Sequence, residues 1–518
     1  MHQNQDILKV FVRKGFLLDK ETLEFFSKLD NINVSEDVLN KIFMLSKGRV
    51  ISKAIMANYF LDIEPIFLSL DESKKKIIKD FFNDVNIVRQ EKKPIEKKEI
   101  KKEFDVKILS SNIIPYRKIE VKDFVKHFKN RYNFLKDILK ERRELVNLVS
   151  IDKIGNNRDI SVIGMVISKR ITKNKNLLLE IEDLTGRVTA LINHDKEELF
   201  EKAKEIVLDD IIGFKCGGGR EILYVNDIFF PDAQISEKKK GEDEIYSLFI
   251  SDIHVGSTMF LEKNFTRFIE WLNGKGCSED QKNKIDKIKY LFIVGDSIDG
   301  VGIFPGQEDH LKINNAKDQY KKLSYLLKQV PKHINIIMCP GQHDAVRVPE
   351  PQPPIDEEFA EEITKMENVY LVSNPALIEI GAGNARFKVL MYHGASMTNW
   401  VNDIEELRTG RGHDTPAKVV KHLLRHRHLS PTHSGTAYVP GEIEDSLVIK
   451  EVPDVIATGD FHRTDIDMYN NILIVCSSCW QSITPFEEKV GNNPDPCKVP
   501  ILNLKTREIK ILDFSDSN

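Results

Sequence analysis

Aspartate, histidine and one side-chain amide recur in this sequence where apolar runs end. Asp252 and His254 close LFISDIHVGS, and Asp296 closes YLFIVGDSIDG. Gln342, His343 and Asp344 close INIIMCPGQHD, His393 closes FKVLMYHG, and Asp460 and His462 close VPDVIATGDFH. Strand side chains alternate with a period of two, so Asp252 and His254 leave their strand on the same side and can share a metal ion. One such pair is a weak signal, because a single buried histidine is more often a satisfied core group. Five apolar runs delivering the same chemistry point to one polynuclear metal site. Carboxylate, imidazole and amide donors suit manganese, iron or zinc rather than calcium or copper(I). Asp296 is the natural bridge between two ions about 3.5–4 Å apart. Two such ions clamp a phosphoryl group, deprotonate a water and stabilise the leaving oxygen. His343 is placed to act as an acid, with Asp344 to hold its ring.

The elements that must position these residues follow from the patterning. From Tyr246 to Asn518, strands alternate with helices, and the motifs fall at strand ends, where α/β sheets place their ligands. Upstream, DISVIGMVISKRI, NLLLEIEDLTGRVTALIN and DDIIGFKCGGGREILYVNDIFFPD supply about five short strands. With the helical stretch KEELFEKAKEIV before the last pair, they predict an OB-fold barrel, and DLTG reads as a hairpin turn. Tyr224 is its main candidate stacking platform, and both nucleic-acid contact and pure scaffolding remain open for this barrel. Val121–Leu145 predicts an amphipathic helix burying Phe124, Phe128, Phe134, Leu135 and Ile138. Apolar residues at helical spacing (Ile7, Leu8, Phe11 and Val12; Leu23, Phe26 and Leu29; Val38, Leu39, Ile42 and Phe43) predict a small helical N-terminal domain, with a helix start near Ser35. The charged stretch Arg89–Asp105 reads as a solvated linker. The expected organisation is thus a helical domain over 1–85, a linker over 86–106, a barrel over 107–240 and the motif-bearing domain over 241–518.

Composition narrows the class. The chain has 518 residues, 41% hydrophobic and 30% charged, with a net charge of −4, so any nucleic-acid surface must be local or supplied by a partner. No apolar run reaches the ~18–20 residues that cross a bilayer. MHQNQDILKVFVRKG lacks a signal-peptide layout, and a cytoplasmic protein is expected. Cys476 and Cys479 form a lone C-x-x-C, read as buried thiols rather than a zinc site. His413, His422, His426, His428 and His433 cluster in RGHDTPAKVVKHLLRHRHLSPTHSG. No acidic ligand alternates with them, so a surface helix over the active-site rim is expected in preference to a second metal site.

The order D-x-H, G-D, G-Q-H-D, H-G, G-D-x-H resembles the calcineurin-like metallophosphoesterases over the C-terminal half. GQHDAVRVPEPQPP, DSIDGVGIFPGQED, HLSPTHSG and SSCWQS, set behind a barrel and a helical domain, narrow the resemblance to the small subunits of archaeal family D DNA polymerases, over the whole chain. That resemblance implies a multidomain α/β protein with a layered α/β/β/α sandwich after the OB-fold barrel. It implies a 3′→5′ exonuclease that proofreads single-stranded or mismatched DNA ends, in a heterodimer with a large polymerising subunit. Two divalent ions are implied, with manganese the expected metal. Asp252, His254, Asp296 and His462 would hold the first ion, and Asp296, Gln342, His393 and Asp460 the second. His343 would assist departure of the leaving group. The family usually has Asn where Gln342 stands and His where Asp460 stands. Both replacements keep a donor atom, and Asp460 is open between ligating an ion and orienting His462. Eukaryotic B subunits keep this layout without the ligands, so a non-catalytic scaffold is the first alternative and a stand-alone metallophosphodiesterase the second.

Overall fold

The computed structural model describes residues 17–29, scattered positions from 34 to 70, residues 72–82, and then 106–516 apart from 112–117, 156 and 442. The chain divides into two compact units, Met1–Lys101 and Lys102–Asn518. In the first unit, Asp19 opens the helix Lys20–Leu29 by accepting from the Thr22 backbone N–H at 2.8 Å, the usual work of an N-cap carboxylate. Phe25, Phe26 and Leu29 share a core with Ile78 and Phe82 of the helix Glu72–Phe82, and with Val38 and Ile42. A short parallel strand pair, Leu17–Leu18 beside Val50–Ile51, joins the helices and was not legible as a strand signal. Ile7, Leu8, Phe11, Val12, Leu39, Phe43 and the Arg89–Asp105 linker lie outside the described residues.

The second unit begins with β1 (Lys107–Ser111) and α1 (Val121–Lys140). Next come β2 (Asn157–Ile171), β3 (Leu177–Glu182), β4 (Arg187–Ile192), α2 (Glu197–Lys204), β5 (Ile211–Gly218) and β6 (Ile222–Phe229). The chain continues through β7 (Tyr246–Ile250), α3 (Glu262–Leu272), α4 (Glu279–Ile285), β8 (Ile288–Val294), α5 (Ala316–Leu327), β9 (Asn335–Cys339), α6 (Glu357–Thr364) and β10 (Val369–Leu371). After β11 (Ala376–Ala382) and β12 (Ala385–Met391) follow α7 (Met397–Asp403), α8 (Glu405–Thr409) and α9 (Pro416–His426). It closes with β13 (Val455–Thr458), β14 (Asp465–Tyr469), β15 (Ile472–Cys476), α10 (Pro485–Val490), β16 (Lys498–Asn503) and β17 (Ile509–Asp513).

Strands β2 to β6 close a barrel in the order β2-β3-β4-β6-β5, with α2 between its third and fourth strands. In β3, the sequence LLLEIE alternates buried and half-buried positions, as a strand with one face on a barrel core must. Asp183 makes the β3–β4 turn by accepting from the Thr185 and Gly186 backbone N–H groups at 2.7 and 3.0 Å.

The other strands form two six-stranded sheets, β10-β9-β8-β7-β16-β17 and β14-β15-β13-β12-β11-β1. Phe249 and Phe292 of the first sheet, stacked at 5.1 Å, meet Ile378, Val389 and Val475 of the second in one buried core. On the outer face of the first sheet, Phe268 of α3, Leu323 of α5 and Ile363 of α6 complete a second core. Trp400 of α7 and Leu423 of α9 do the same for the second sheet. Helices outside and sheets inside make four layers, and strands buried on both faces explain the unbroken apolar runs.

Three expectations change. Residues 107–111, assigned to the barrel, form β1 and pair antiparallel with β11 at the edge of the second sheet. Helix α1 buries Asp123, His127, Arg131, Tyr132, Leu135 and Leu139, while Phe124, Phe128, Phe134 and Ile138 are half-buried. The face is rotated because the buried Asp445 carboxylate takes Arg131 Nε at 2.6 Å and His428 Nε2 at 2.9 Å, with His127 Nε2 at 3.2 Å. Helix α9 does not overlie the active-site rim. Val419, Val420, Leu423 and Leu424 pack it onto the second sheet, and Arg425 and His426 reach the barrel residues Glu205 and Asp210. No described helix is long and apolar enough to cross a membrane.

Candidate metal centre

Parallel strands β7, β8 and β9 of the first sheet end side by side, and β12 and β13 of the second end facing them. Each apolar strand stops at a sharp turn. Asp252, His254, Asp296, Asp460 and His462 all have φ between 46° and 68°, a left-handed conformation that non-glycine residues rarely adopt. Each costs on the order of 1–3 kcal/mol, and such residues persist where the surroundings over-determine them. Glycines make the close approach possible. A Cβ on Gly341 would sit 2.1 Å from Asp296 Oδ1 and 2.6 Å from His393 Nε2, and one on Gly295 would sit 2.1 Å from His393 Nδ1.

The geometry brings the expected residues together. His462 Nε2 lies 3.3 Å from Asp252 Oδ1 and 3.2 Å from His254 Nε2. His393 Nε2 lies 3.3 Å from Asp296 Oδ2, 3.8 Å from Asp460 Oδ1 and 3.9 Å from Asp252 Oδ1. Asp252, His254 and His462 form one group able to hold a cation, and Asp252, Asp296 and His393 another. Asp252 belongs to both groups, and Asp296 Oδ2 reaches the first through His254 Nε2 at 4.0 Å. Each also has its second oxygen fixed by a backbone N–H: Asp460 N donates to Asp252 Oδ2 at 3.1 Å, and His343 N to Asp296 Oδ1 at 2.8 Å.

The imidazoles share one design. His393 gives Nδ1–H to the Val294 carbonyl at 2.8 Å, and His343 gives its own to the Asp299 carbonyl at 2.8 Å. His254 Nδ1 pairs with Asp299 Oδ1 at 3.1 Å and His462 Nδ1 with Glu487 Oε1 at 2.7 Å. With Nδ1 engaged, each ring presents Nε2, the tautomer that outer partners impose on metal-binding histidines. Asp299 and Glu487 were not singled out in the sequence. Asp299 stands in DSIDG beside Asp296, a cue that spacing alone could have offered; Glu487 comes from a distant helix and carries no such cue.

Charges in the site hold one another. Burial would raise Asp296, but the imidazoles of His393, His343 and His254 outweigh it and hold the carboxyl far below the usual range. Burial alone would lower His393, yet Asp296 and Asp252 keep it well above the ordinary imidazole value. Concentrated negative charge thus draws protons where cations would bind. Among the described residues, Asp252 Oδ1, Gln342 Oε1 and His393 Nε2 are buried without hydrogen-bond partners. Buried polar atoms are rarely left so, and oxygen and nitrogen donors of this kind, Asp252 Oδ1 and His393 Nε2 lying 3.9 Å apart, fit a divalent cation. Above them opens a cavity of about 400 Å³, walled by Met259, Phe304 and Phe461 as well as the polar cluster.

Asp344 is placed differently from the expectation. Its carboxylate turns away from the His343 ring and accepts from Ser297 Oγ at 2.5 Å, Gly341 N at 3.0 Å and Tyr320 OH at 2.9 Å. It ties together the loops that carry Asp296 and Gln342, while the Asp299 carbonyl holds the ring. The Cys476 and Cys479 thiols are free and buried.

The family of the B subunits of DNA polymerases alpha and epsilon matches residues 248–466, the stretch that carries every strand-end motif. The DNA polymerase II small subunit of Archaeoglobus fulgidus is 32% identical over 501 residues, covering 96% of this chain and 95% of that protein. The DNA polymerase II small subunit of Pyrococcus abyssi is 38% identical over 404 residues, 77% of this chain, and the match spans 64% of the Pyrococcus protein's length. A solved structure of an archaeal phosphodiesterase covers 52% of this chain and 99% of its own at 11% identity, with a TM-score of 0.25, a likeness too slight to carry weight. The chain belongs to the archaeal DNA polymerase II small subunits, the small subunits of family D DNA polymerase.

Proposed function

We propose that this chain is a two-metal 3′→5′ exonuclease that proofreads DNA and pairs with a large polymerising subunit. The observation that carries the reading is that Asp252 Oδ1 and His393 Nε2, 3.9 Å apart, are buried and unpartnered, as is Gln342 Oε1 of the cavity lining. Asp252, His254, Asp296 and His462 would hold one cation, and Asp296, Gln342, His393 and Asp460 the other. Manganese is the favoured ion. When bound, such cations supply charge to a phosphodiester and lower the pKa of water. The protein's own part is positional. Asp299 and Glu487 fix the His254 and His462 rings. His343, its Nδ1–H held by the Asp299 carbonyl, would turn Nε2 toward the departing 3′ oxygen, the position from which its imidazolium form would hand over a proton. Phe304 and Phe461 flank the cavity, which has room for a terminal nucleotide.

The barrel's strand order, with a helix before its fourth strand, fits an OB-fold. Tyr224 is its one exposed large aromatic side chain among the described residues, so stacking surface is scant and scaffolding of the large subunit is the favoured role. The test is degradation of labelled single-stranded and mismatched DNA in manganese, with p-nitrophenyl phosphate alongside. Loss of nucleotides from 3′ ends by the wild type, and nearly none by Asp296→Ala, is expected. Equal activity of the two proteins, or hydrolysis of the small ester alone, would overturn the reading.

A further inference from the structure

The proposed catalytic chemistry leaves the histidines of α9 unused. His422 and His426 stand four residues apart, so their rings share one helix face. Glu205, directly after α2 of the barrel, faces them. One ligand atom from each of the three lies within 4.8 Å of the other two. His422 Nδ1 is 3.5 Å from Glu205 Oε2. His426 Nδ1 is 2.9 Å from Asp210 Oδ1, and its side chain is 1% exposed. Its Nε2, like His422 Nδ1, is buried and has no hydrogen-bond partner among the described residues.

An imidazole with Nδ1–H given to a carboxylate presents a more basic Nε2 in a fixed orientation, the arrangement that supports zinc-binding histidines. Trp400 stands beside both rings, with centroids 6.3 Å from His422 and 4.9 Å from His426. Arg425 Nη1 donates to Glu205 Oε2 and competes for that oxygen. An adjoining pocket of about 280 Å³ is lined by Glu201, Glu205, Glu405 and Glu406 against the single cation of Lys204, which pairs with Glu201, so its lining stays net negative.

We propose that Glu205, His422 and His426 bind a zinc ion that clamps the barrel to α9. The site shares no residue with the catalytic cluster. Two imidazoles and a carboxylate with water in the fourth place form a donor set that zinc favours. Ligand atoms around tetrahedral zinc lie about 3.3 Å apart, so modest side-chain rotations close the observed spacing.

The 518-residue chain, stripped with a chelator and refilled with zinc, is to be analysed for metal content beside His422→Gln, Glu205→Gln and Asp296→Ala. Wild type should retain one more zinc than either His422→Gln or Glu205→Gln. Asp296→Ala should still lose one when His422→Gln is added. Nuclease activity in manganese should be unchanged in Glu205→Gln. Should His422→Gln not fold, Glu205→Gln and diffraction from wild-type crystals decide. An anomalous zinc peak between His426 Nε2 and the Glu205 carboxylate is expected. Equal zinc content in wild type and Glu205→Gln, or a map without that peak, would overturn the proposal.

Discussion

Gln342 Nε2 donates to Asp460 Oδ1 at 3.1 Å, and the two side chains that depart from the ligand pattern the resemblance leads one to expect are thereby partners. The bond fixes the amide so that its nitrogen faces Asp460 and its oxygen, buried and unpartnered, is left for a cation. Burial first, and then the carboxylates of Asp252 and Asp296, outweigh His393 and raise Asp460. A cation would relieve that repulsion. We therefore expect Asp460 to ligate. Asp460→Ala should abolish nuclease activity and lower the metal content by about one ion per chain, since a two-ion mechanism fails with one. Two retained ions in an active variant would assign Asp460 to orientation only.

Glu487 and Asp299 act on the site through His462 and His254. Glu487→Gln and Asp299→Asn keep the shape but weaken the acceptor that orients each ring. Each should lose about 10–100-fold in activity or metal affinity with the fold intact, the usual scale for such partners. Kinetics against manganese concentration checks this, and unchanged activation curves would show the rings to be held by other contacts.

Glu350 offers a test by pH. Its carboxyl is fully buried between Asn374 and Tyr392, and burial raises its pKa to about 8. An unfolded glutamate releases its proton near pH ~4.3. Between these values the folded chain keeps a proton that the unfolded chain has lost, so stability from this group falls as pH rises through the window and levels off above about 8. Glu350→Gln removes the titration. It should gain on wild type by on the order of a few kcal/mol on going from pH ~5 to ~8.5. Denaturation midpoints at the two pH values measure it, and parallel curves would refute it.

The strand-end motifs were legible because burial on both faces writes a strand as an unbroken apolar run, and a polar residue ending that run has to serve some purpose. Barrel alternation and the DLTG turn were legible for similarly local reasons. What escaped depended on partners distant in sequence. Arg131 and His127 stand outside the apolar stripe that spacing picks out on α1, yet Asp445, more than 300 residues away, takes Arg131 at 2.6 Å. The α9 histidines lack acidic neighbours in sequence because Glu205 and Asp210 come from the barrel. Asp344 reads as a partner for His343 because they are adjacent, but at a sharp turn adjacent side chains diverge, and its carboxylate instead meets Ser297, Gly341 and Tyr320.

Residues from two facing sheets are proposed to hold a pair of divalent cations. Anomalous diffraction from crystals soaked in manganese tests it most directly. Two peaks about 3.5–4 Å apart are expected, one among Asp252, His254 and His462 and one among Gln342, His393 and Asp460, with Asp296 between them. A single peak, or none within reach of Asp296, would contradict the account.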